Sequence, residues 1–320
     1  VFSNLLLVFL ISLQFGSYGM MIENTLSSYT GHLQIQHKDF QDKPRLRNSI
    51  SDIRIYAANI RQRLSSDAIN ETDVAARGLA FALVSSEQRS YGLQLIGVEP
   101  EYEPEVSTLP GLVASGRYLQ QTNAAEIFIG SVLARNLKVD VGEELTLLGS
   151  GRDGSFAAGV VTIVGIFDSG IADIDRNLAQ IPLGYFQSLF SMQGHGHSIT
   201  VTAGNLGEVE TMKRWLTALL PDDQPFDNQP HDNQPLAVLD WEQMEPGLKQ
   251  AIQADMASAW FMYGILIILV AFSVMNTQLM SVLERTREFG IMLALGVKPV
   301  SYTHLRAHET LTPISYAVFC

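Results

Sequence analysis

Two long uncharged stretches, Val1–Ile22 and Ala257–Leu283, lie at opposite ends of the chain, and the residues between them alternate in the way soluble elements do. A bilayer hydrocarbon core about 30 Å thick takes roughly 20 apolar residues of helix, so each stretch is long enough to cross it. The first stretch has an alternative reading as the apolar region of a signal peptide. It shows neither a basic leading region nor a small-x-small cleavage site, and it is longer than such regions usually run. Because the apolar run starts at once with Val1 rather than Met, the true N-terminus is expected to lie upstream.

The middle reads as an α+β domain. Gly31–Phe40 alternates apolar and polar residues as a half-buried strand does. Asn48–Leu64 spaces Ile50, Ile53, Ala57, Ile60 and Leu64 for an amphipathic helix. Val74–Ser85 and Tyr91–Val98 read as strands joined across a polar turn. Pro100–Pro110 reads as a solvated connector in which Glu99, Glu101, Glu103 and Glu105 alternate with Pro and Tyr. Strands are expected at Ala124–Gly130, Glu144–Leu148, Gly159–Phe167 and Ile199–Thr202, and helices at Ser131–Leu137, Glu208–Leu220 and Trp241–Asp255, the last kinked or started by Pro246.

Two segments stand apart. Asp222–Leu236 repeats a proline-containing five-residue unit three times, which neither a helix nor a central strand tolerates, so it is an exposed loop. Ser301–Cys320 continues no pattern and resembles a translated sequencing adapter, with a genuine cytoplasmic loop as the alternative; it is left out of the fold reasoning.

Charge changes the picture in two ways. Residues 23–255 carry 17 Lys and Arg against 30 Asp and Glu, without a basic stripe, which argues against nucleic acid as a partner. Arg285, Arg287 and Lys298 follow the second apolar run, whereas Asp240, Glu242, Glu245 and Asp255 precede it. Basic residues beside a span mark the cytoplasmic side, so residues 284–300 are expected inside and the middle domain outside. Trp260 and Tyr263 sit where an outer interface would be. The only cysteine is Cys320, so the middle domain relies on packing rather than disulfides.

The segment after the second run, Met275–Pro299, resembles the ABC transporter permeases of the FtsX/MacB/LolC–LolE superfamily. It carries an Asn-Thr pair (Asn276, Thr277), then Glu284, Arg285, Thr286, Arg287, Glu288, Phe289 and Gly290, then Ala294, Leu295 and Gly296. Tyr29–Gln36 after the first run, Gly116–Gly149 with Ile129, Gly130, Leu133, Ala134, Leu137 and Gly142, and Val160–Leu183 are similar to the same family's extracytoplasmic segments.

The resemblance implies a four-helix permease, here with residues 1–22 as helix one, 23–256 as the periplasmic domain, 257–283 as helix two and 284–300 as a cytoplasmic coupling segment. It also favours the span reading of residues 1–22 over the signal peptide. It implies an inner-membrane, multi-pass protein with no cofactor in these residues, the ATP and Mg being held by a partner ABC ATPase or by an ATPase domain fused upstream. A second permease copy or paralogue, membrane lipid, and a lipoprotein or periplasmic adaptor are the other partners implied. The function implied is coupling of ATP hydrolysis to movement of the periplasmic domain, for lipoprotein release and lipid trafficking or for MacB-like efflux.

Spacing alone leaves two readings of the coupling segment. Phe289, Met292 and Leu293 share a helical face that suits docking on an ATPase, while Glu284, Arg285, Arg287 and Glu288 supply charge for register. A helix lying on lipid headgroups is the other reading. Gly296 is expected as a left-handed residue after the helix, with Pro299 as a stop.

Several motifs are decoys. Gly149–Gly154 matches GxGxxG but is followed by a second strand, so it reads as a hairpin loop. The sequence contains no GxxxxGK[ST] and no nucleophile motif. His195 and His197 lack a third metal ligand nearby, and Asp168, Asp173 and Asp175 lack EF-hand spacing and read as solvated loop acids. The competing functional classes are a two-span sensor with a periplasmic ligand-binding domain and a membrane-anchored periplasmic enzyme. A sensor would continue into heptads, which ERTREFGIMLALG does not resemble.

Overall fold

A computed structural model of the chain describes residues 2–66, 72–204, 206–220 and 235–296. The proline repeat up to residue 234, Pro299 and the segment 301–320 lie outside the described residues. The chain divides into two compact units, residues 21–248 and a helical unit built from residues 1–20 and 249 onwards.

In the larger unit the helix α1 (Phe2–Thr25) ends in a π-helical turn, Leu26–Thr30, before β1 (Leu33–His37). There follow α2 (Ile53–Ser66), β2 (Val74–Ser85), β3 (Ser90–Val98), α3 (Glu103–Val106) and β4 (Val113–Gly116). Next come β5 (Glu126–Gly130), α4 (Ser131–Leu137), β6 (Glu144–Ser150), β7 (Phe156–Phe167) and α5 (Ala172–Asn177). The unit finishes with β8 (Leu178–Pro182), α6 (Leu183–Leu189), β9 (Ser198–Val201), α7 (Val209–Leu219), β10 (Leu236–Asp240) and α8 (Trp241–Met244).

Strand pairing creates two regions that share β2. Its first half joins an antiparallel run β10–β1–β9–β2, in which Ile35 lies between Val238 and Ile199. Its second half belongs to a closed ring of pairings, β2–β3–β8–β5–β7–β6 and back to β2 through Leu83–Ser85 opposite Thr146–Leu148. Within the ring β3–β8 and β5–β7 are parallel and the other pairs antiparallel. Closing a sheet on itself removes exposed edges, which would otherwise pair with other chains.

Side chains of β2 alternate as the pleat requires. Ala80, Ala82 and Val84 are buried, with Phe81 and Leu83 exposed on the other face. The buried set joins Leu93, Leu95, Ile127, Ile129, Leu145, Leu147, Val161 and Ile163 in the main core. The helix α2 adds Ile53, Ala57, Ile60 and Leu64, one apolar stripe at helical spacing, against β2. A smaller core gathers Ile96, Val98, Leu109, Leu119, Phe128, Phe167 and Leu178. One close approach needs glycine: Gly78 and Gly97 are cross-strand partners, and the ring of Phe186 from α6 lies on both. A Cβ at Gly97 would meet the Phe186 Cβ and Cγ at 2.6 Å, near the stiff end of that side chain.

Beyond the expected strand Gly159–Phe167, which is the end of β7, the chain forms α5 and β8, and these, like β4, α6 and β10, are elements that periodicity did not reveal. All five residues of β8 are buried, so the strand carries no polar–apolar alternation to read. GxGxxG is a hairpin loop, as expected: Ser150 faces Phe156 across it and the Gly151 amide bonds the Ser155 carbonyl.

In the helical unit, α9 runs from Pro246 to Glu284, 39 residues. Among the described residues it is the one helix long and apolar enough to cross a membrane. The expected helix Trp241–Asp255 is split. Asp240 caps α8 through a box with Gln243, and α9 then begins at Pro246, a residue suited to a first helical position because it has no N–H to satisfy.

Candidate functional site

The candidate site is the grip that the larger unit takes on its own π-helical turn, Leu26–Thr30, where α1 ends. A helix leaves its last carbonyls without intrahelical partners. Here the Gly31 amide donates to Leu26 O at 2.8 Å, and the Thr108 amide donates to Ser27 O at 2.8 Å. The Ser107 hydroxyl donates to Ser28 O at 2.7 Å, and the Gln34 side-chain amide donates to Thr30 O at 2.6 Å. Leu26 and Thr30 are buried within this grip. The chain then goes straight into β1, where the His32 amide donates to Val201 O and His32 Nδ1 accepts from the Ala203 amide, each at 3.2 Å.

The gripping residues Ser107 and Thr108 follow the acidic stretch read from sequence as a solvated connector. That reading is corrected: Glu99 and Glu103 are buried and paired, while Glu101 and Glu105 are exposed. Glu99 accepts from Arg61 at 2.5 Å, from Arg54 at 3.4 Å and from the Ala76 amide at 3.0 Å. Arg61 also stacks on the Tyr102 ring, 3.5 Å from its centroid. Glu103, 0% exposed, accepts both Arg77 Nε at 3.0 Å and Nη2 at 2.7 Å, a two-point carboxylate–guanidinium pair. Gln180 donates to Glu103 at 3.2 Å and accepts the Tyr118 hydroxyl at 2.9 Å.

Burial pushes the Glu103 carboxyl above the usual range, and the Arg77 charge opposes that shift. Burial, then the neighbouring Glu103 charge, raises the Tyr118 phenol well above its ordinary value. Arginines of α2 and β2 thus hold the stretch from both ends, and α3 passes the anchorage on to Ser107 through its amide bond to Glu103 O. The readable signal was Arg77 itself, since a guanidinium in the apolar strand VAARGLAFALV requires a buried acid.

One further acid and one histidine are placed as follows. Asp175 corrects the reading of 168–175 as solvated loop acids: it is buried, and its carboxylate accepts the Ser169 amide at 2.9 Å and hydroxyl at 2.6 Å. His197 is buried against Phe40 and Phe186, and its Nδ1 accepts the Leu79 amide at 2.9 Å. Burial lowers its pKa from 6.5 to about 3.

The family-motif residues lie in the other unit. Asn276 and Thr277 fall within α9, where the Thr277 hydroxyl donates to Ser273 O at 2.9 Å, and Glu284 is the last residue of that helix. Arg285 stands at a break, and α10 (Thr286–Ala294) carries Arg287, Glu288, Phe289, Gly290, Met292 and Leu293. The side chains of Glu288, Phe289, Met292 and Leu293 lie outside the described residues, so only their shared helical backbone is placed. Gly296 takes the expected left-handed conformation, φ +84°, just past the helix.

Comparisons with known proteins extend these observations. A family model described as MacB-like periplasmic core domain matches residues 2–219, and one described as FtsX-like permease C-terminal matches residues 260–317. The lipoprotein-releasing system transmembrane protein LolC of Xylella fastidiosa (strain Temecula1 / ATCC 700964) is 25% identical over 244 residues, 72% of this chain and 55% of that protein. LolC of Neisseria meningitidis serogroup B (strain ATCC BAA-335 / MC58) is 21% identical over 225 residues, 68% of this chain and 51% of that protein. The chain therefore spans about half the length of the curated relatives it matches.

Among solved structures, the periplasmic region of MacB from Actinobacillus actinomycetemcomitans is similar at a TM-score of 0.44 and 15% identity, covering 71% of this chain and 94% of that one. The extracellular domain of the noncanonic ABC-type transporter YknZ from Gram-positive bacteria is similar at a TM-score of 0.42 and 13% identity, covering 66% of this chain and all 100% of that one. On the match of residues 2–219, together with the FtsX-like segment that follows, the chain belongs to the MacB-like periplasmic core domain family of FtsX/MacB/LolC-type ABC transporter permeases.

Proposed function

We propose that this chain is the permease subunit of an inner-membrane ABC transporter, and that it converts ATP hydrolysis by a partner ATPase into movement of its periplasmic domain. The observation that carries the reading is the grip on the turn that ends α1. Of the four hydrogen bonds on that turn, two come from Ser107 and Thr108, in a loop braced by buried ion pairs, and two from Gly31 and Gln34 at the start of β1, so the chain enters the domain through a braced turn. In this reading residues 1–22 and 257–283 are membrane helices one and two of four, and residues 23–256 face the periplasm. The permease works as a dimer with an identical or related subunit.

ATP and Mg are bound by the partner, and the segment Glu284–Gly296 meets it. Phe289, Met292 and Leu293 form the apolar contact, and Glu284, Arg285, Arg287 and Glu288 set its register. Lipoprotein release is favoured over MacB-like efflux because the curated relatives described above are lipoprotein-releasing proteins.

The test is site-directed cross-linking in native membranes of the complete chain co-expressed with its ABC ATPase. A photoreactive residue at Phe289 is expected to trap the ATPase, and Phe289→Ala to leave the complex unable to link hydrolysis to lipoprotein release from spheroplasts. Cross-links to lipid alone, with release unchanged in Phe289→Ala, would refute the docking role. Normal efflux of a periplasmic solute without lipoprotein release would move the substrate assignment to the MacB-like branch.

A further inference from the structure

The helical unit contains a polar network that the proposed function does not use. Tyr18 and Gln14 lie one turn apart on α1, and Asp255 and Tyr263 lie two turns apart on α9. The Tyr18 hydroxyl donates to Asp255 Oδ2 at 2.5 Å, and the Gln14 side-chain amide donates to the same oxygen at 3.0 Å. That amide nitrogen also lies 2.5 Å from the Tyr18 hydroxyl oxygen, and the Tyr263 hydroxyl donates to Gln14 Oε1 at 3.3 Å.

Gln14 and Tyr18 are half-shielded and Tyr263 is buried, while Asp255 is exposed beside them. On α9 the shielded or half-shielded positions include Ile252, Met256, Ala259, Tyr263, Leu266 and Val270, spaced by three and four. On α1 they include Ile11, Gln14 and Tyr18. Small and polar residues on such a stripe are how membrane helices associate, because lipid supplies no hydrophobic force between them. Rising numbers on α1 pair with falling numbers on α9, so the contact is antiparallel and the network specifies one register.

We propose that Asp255 is the register pin of the first two membrane helices, holding Gln14 and Tyr18 so that α1 and α9 move as one body. Asp255 is a positioning residue in this account. It stands just outside the stretch 257–283 read as membrane-embedded, and sliding by one turn would separate its carboxylate from the Gln14 amide and the Tyr18 hydroxyl, leaving those two groups only each other. Apolar stripes alone would not resist such a slip, since lipid replaces an apolar contact at little loss. The inference rests on the reading of both helices as spans but not on the ATPase or the cargo.

The test uses native membranes and the complete chain with Cys320→Ser. The reporter pair Ile11→Cys with Leu266→Cys is in register, and Ile11→Cys with Val270→Cys is one turn out. All four network residues stay intact in both. With a short bifunctional thiol reagent, the in-register pair is expected to cross-link about fivefold more than the other, the scale of two hydrogen bonds in a membrane. Asp255→Leu should bring the two pairs to parity. Asp255→Asn should keep most of the preference, because its carbonyl still accepts from Gln14 and Tyr18.

Preference unchanged in Asp255→Leu would overturn the pin, as would parity in the parent. Equal loss in Asp255→Asn and Asp255→Leu would overturn the hydrogen-bond account in favour of charge. A lone cysteine at Phe272 reports separately on the spans. Free labelling there by an impermeant reagent removes the span reading and the pin with it, whereas protection there alongside unchanged preference removes the pin alone.

Discussion

Truncating Glu103 to Leu tests whether the acidic stretch is an anchor rather than a solvated connector. The substitution removes a fully buried acceptor and leaves the Arg77 guanidinium, with a side chain only 3% exposed, without its two-point partner. Breaking one side of a buried pair costs about 3–5 kcal/mol, because the surviving charge remains in a site of low dielectric. The Gln180 amide also loses an acceptor, which places the effect toward the upper end. For a unit of this size each kcal/mol moves the melting temperature by about 2–4 °C, so a fall of about 6–20 °C is expected.

Replacing both partners, Arg77→Met with Glu103→Leu, should recover most of that loss, since an apolar pair of similar volume is often neutral or better. The assay is urea and thermal unfolding of residues 21–248, followed by tryptophan fluorescence and circular dichroism. A Glu103→Leu loss below about 1 kcal/mol would mean that water reaches the guanidinium and that the pair braces nothing. A double variant as unstable as the two single losses added together would mean that Arg77 and Glu103 act independently, which also refutes the brace.

Three further outcomes follow from the same packing. His197 remains neutral in the fold down to about pH 3, whereas the unfolded chain takes up that proton near 6.5. Stability should therefore be full above pH 6.5 and fall on acidification, by about 2–3 kcal/mol at pH 4.5, and His197→Gln should flatten that slope in urea titrations across pH. Gly97→Ala should cost about 1–3 kcal/mol in unfolding experiments, because the new methyl meets the root of the Phe186 side chain rather than its flexible end. At the grip itself, Thr108 has φ −81° and follows an extended Ser107, a backbone that accepts proline. Thr108→Pro deletes only the hydrogen bond to Ser27 O, at about 0.5–1.5 kcal/mol of domain stability. It should slow lipoprotein release in spheroplasts well below Thr108→Ala, which keeps the amide, and equal rates for the two would show that the bond transmits nothing.

Elements with a clean period are legible in the amino-acid sequence alone. The strands β2 and β3, the hairpin at Gly149–Gly154 and the glycine that ends α10 occur where local spacing places them, as does α2 from Ile53 onward, although Ile50, read as part of its stripe, instead pairs with Gly196 in a β-bridge. In each case the determinant is local, either a stripe of apolar residues every three to four, an alternation of two, or a residue without Cβ. The family motif, from the last turns of α9 through α10, is legible for the same reason, as a contiguous run of residues.

Tertiary structure decided the rest, because the determinants lie far apart in the chain. Glu99 and Glu103 look identical to Glu101 and Glu105 in sequence, and only Arg54, Arg61 and Arg77, brought in from α2 and β2, make the first two buried anchors. β8 has no alternation because both its faces are covered: Ala179 and Ile181 join the main core and Leu178 joins the smaller one. Gln14, Tyr18, Asp255 and Tyr263 are isolated polar residues until two helices some 240 positions apart place them around one carboxylate. Charge and polarity are local properties, but whether a polar group is solvated or satisfied depends on its neighbours in space, and the long-range contacts of the fold choose those neighbours.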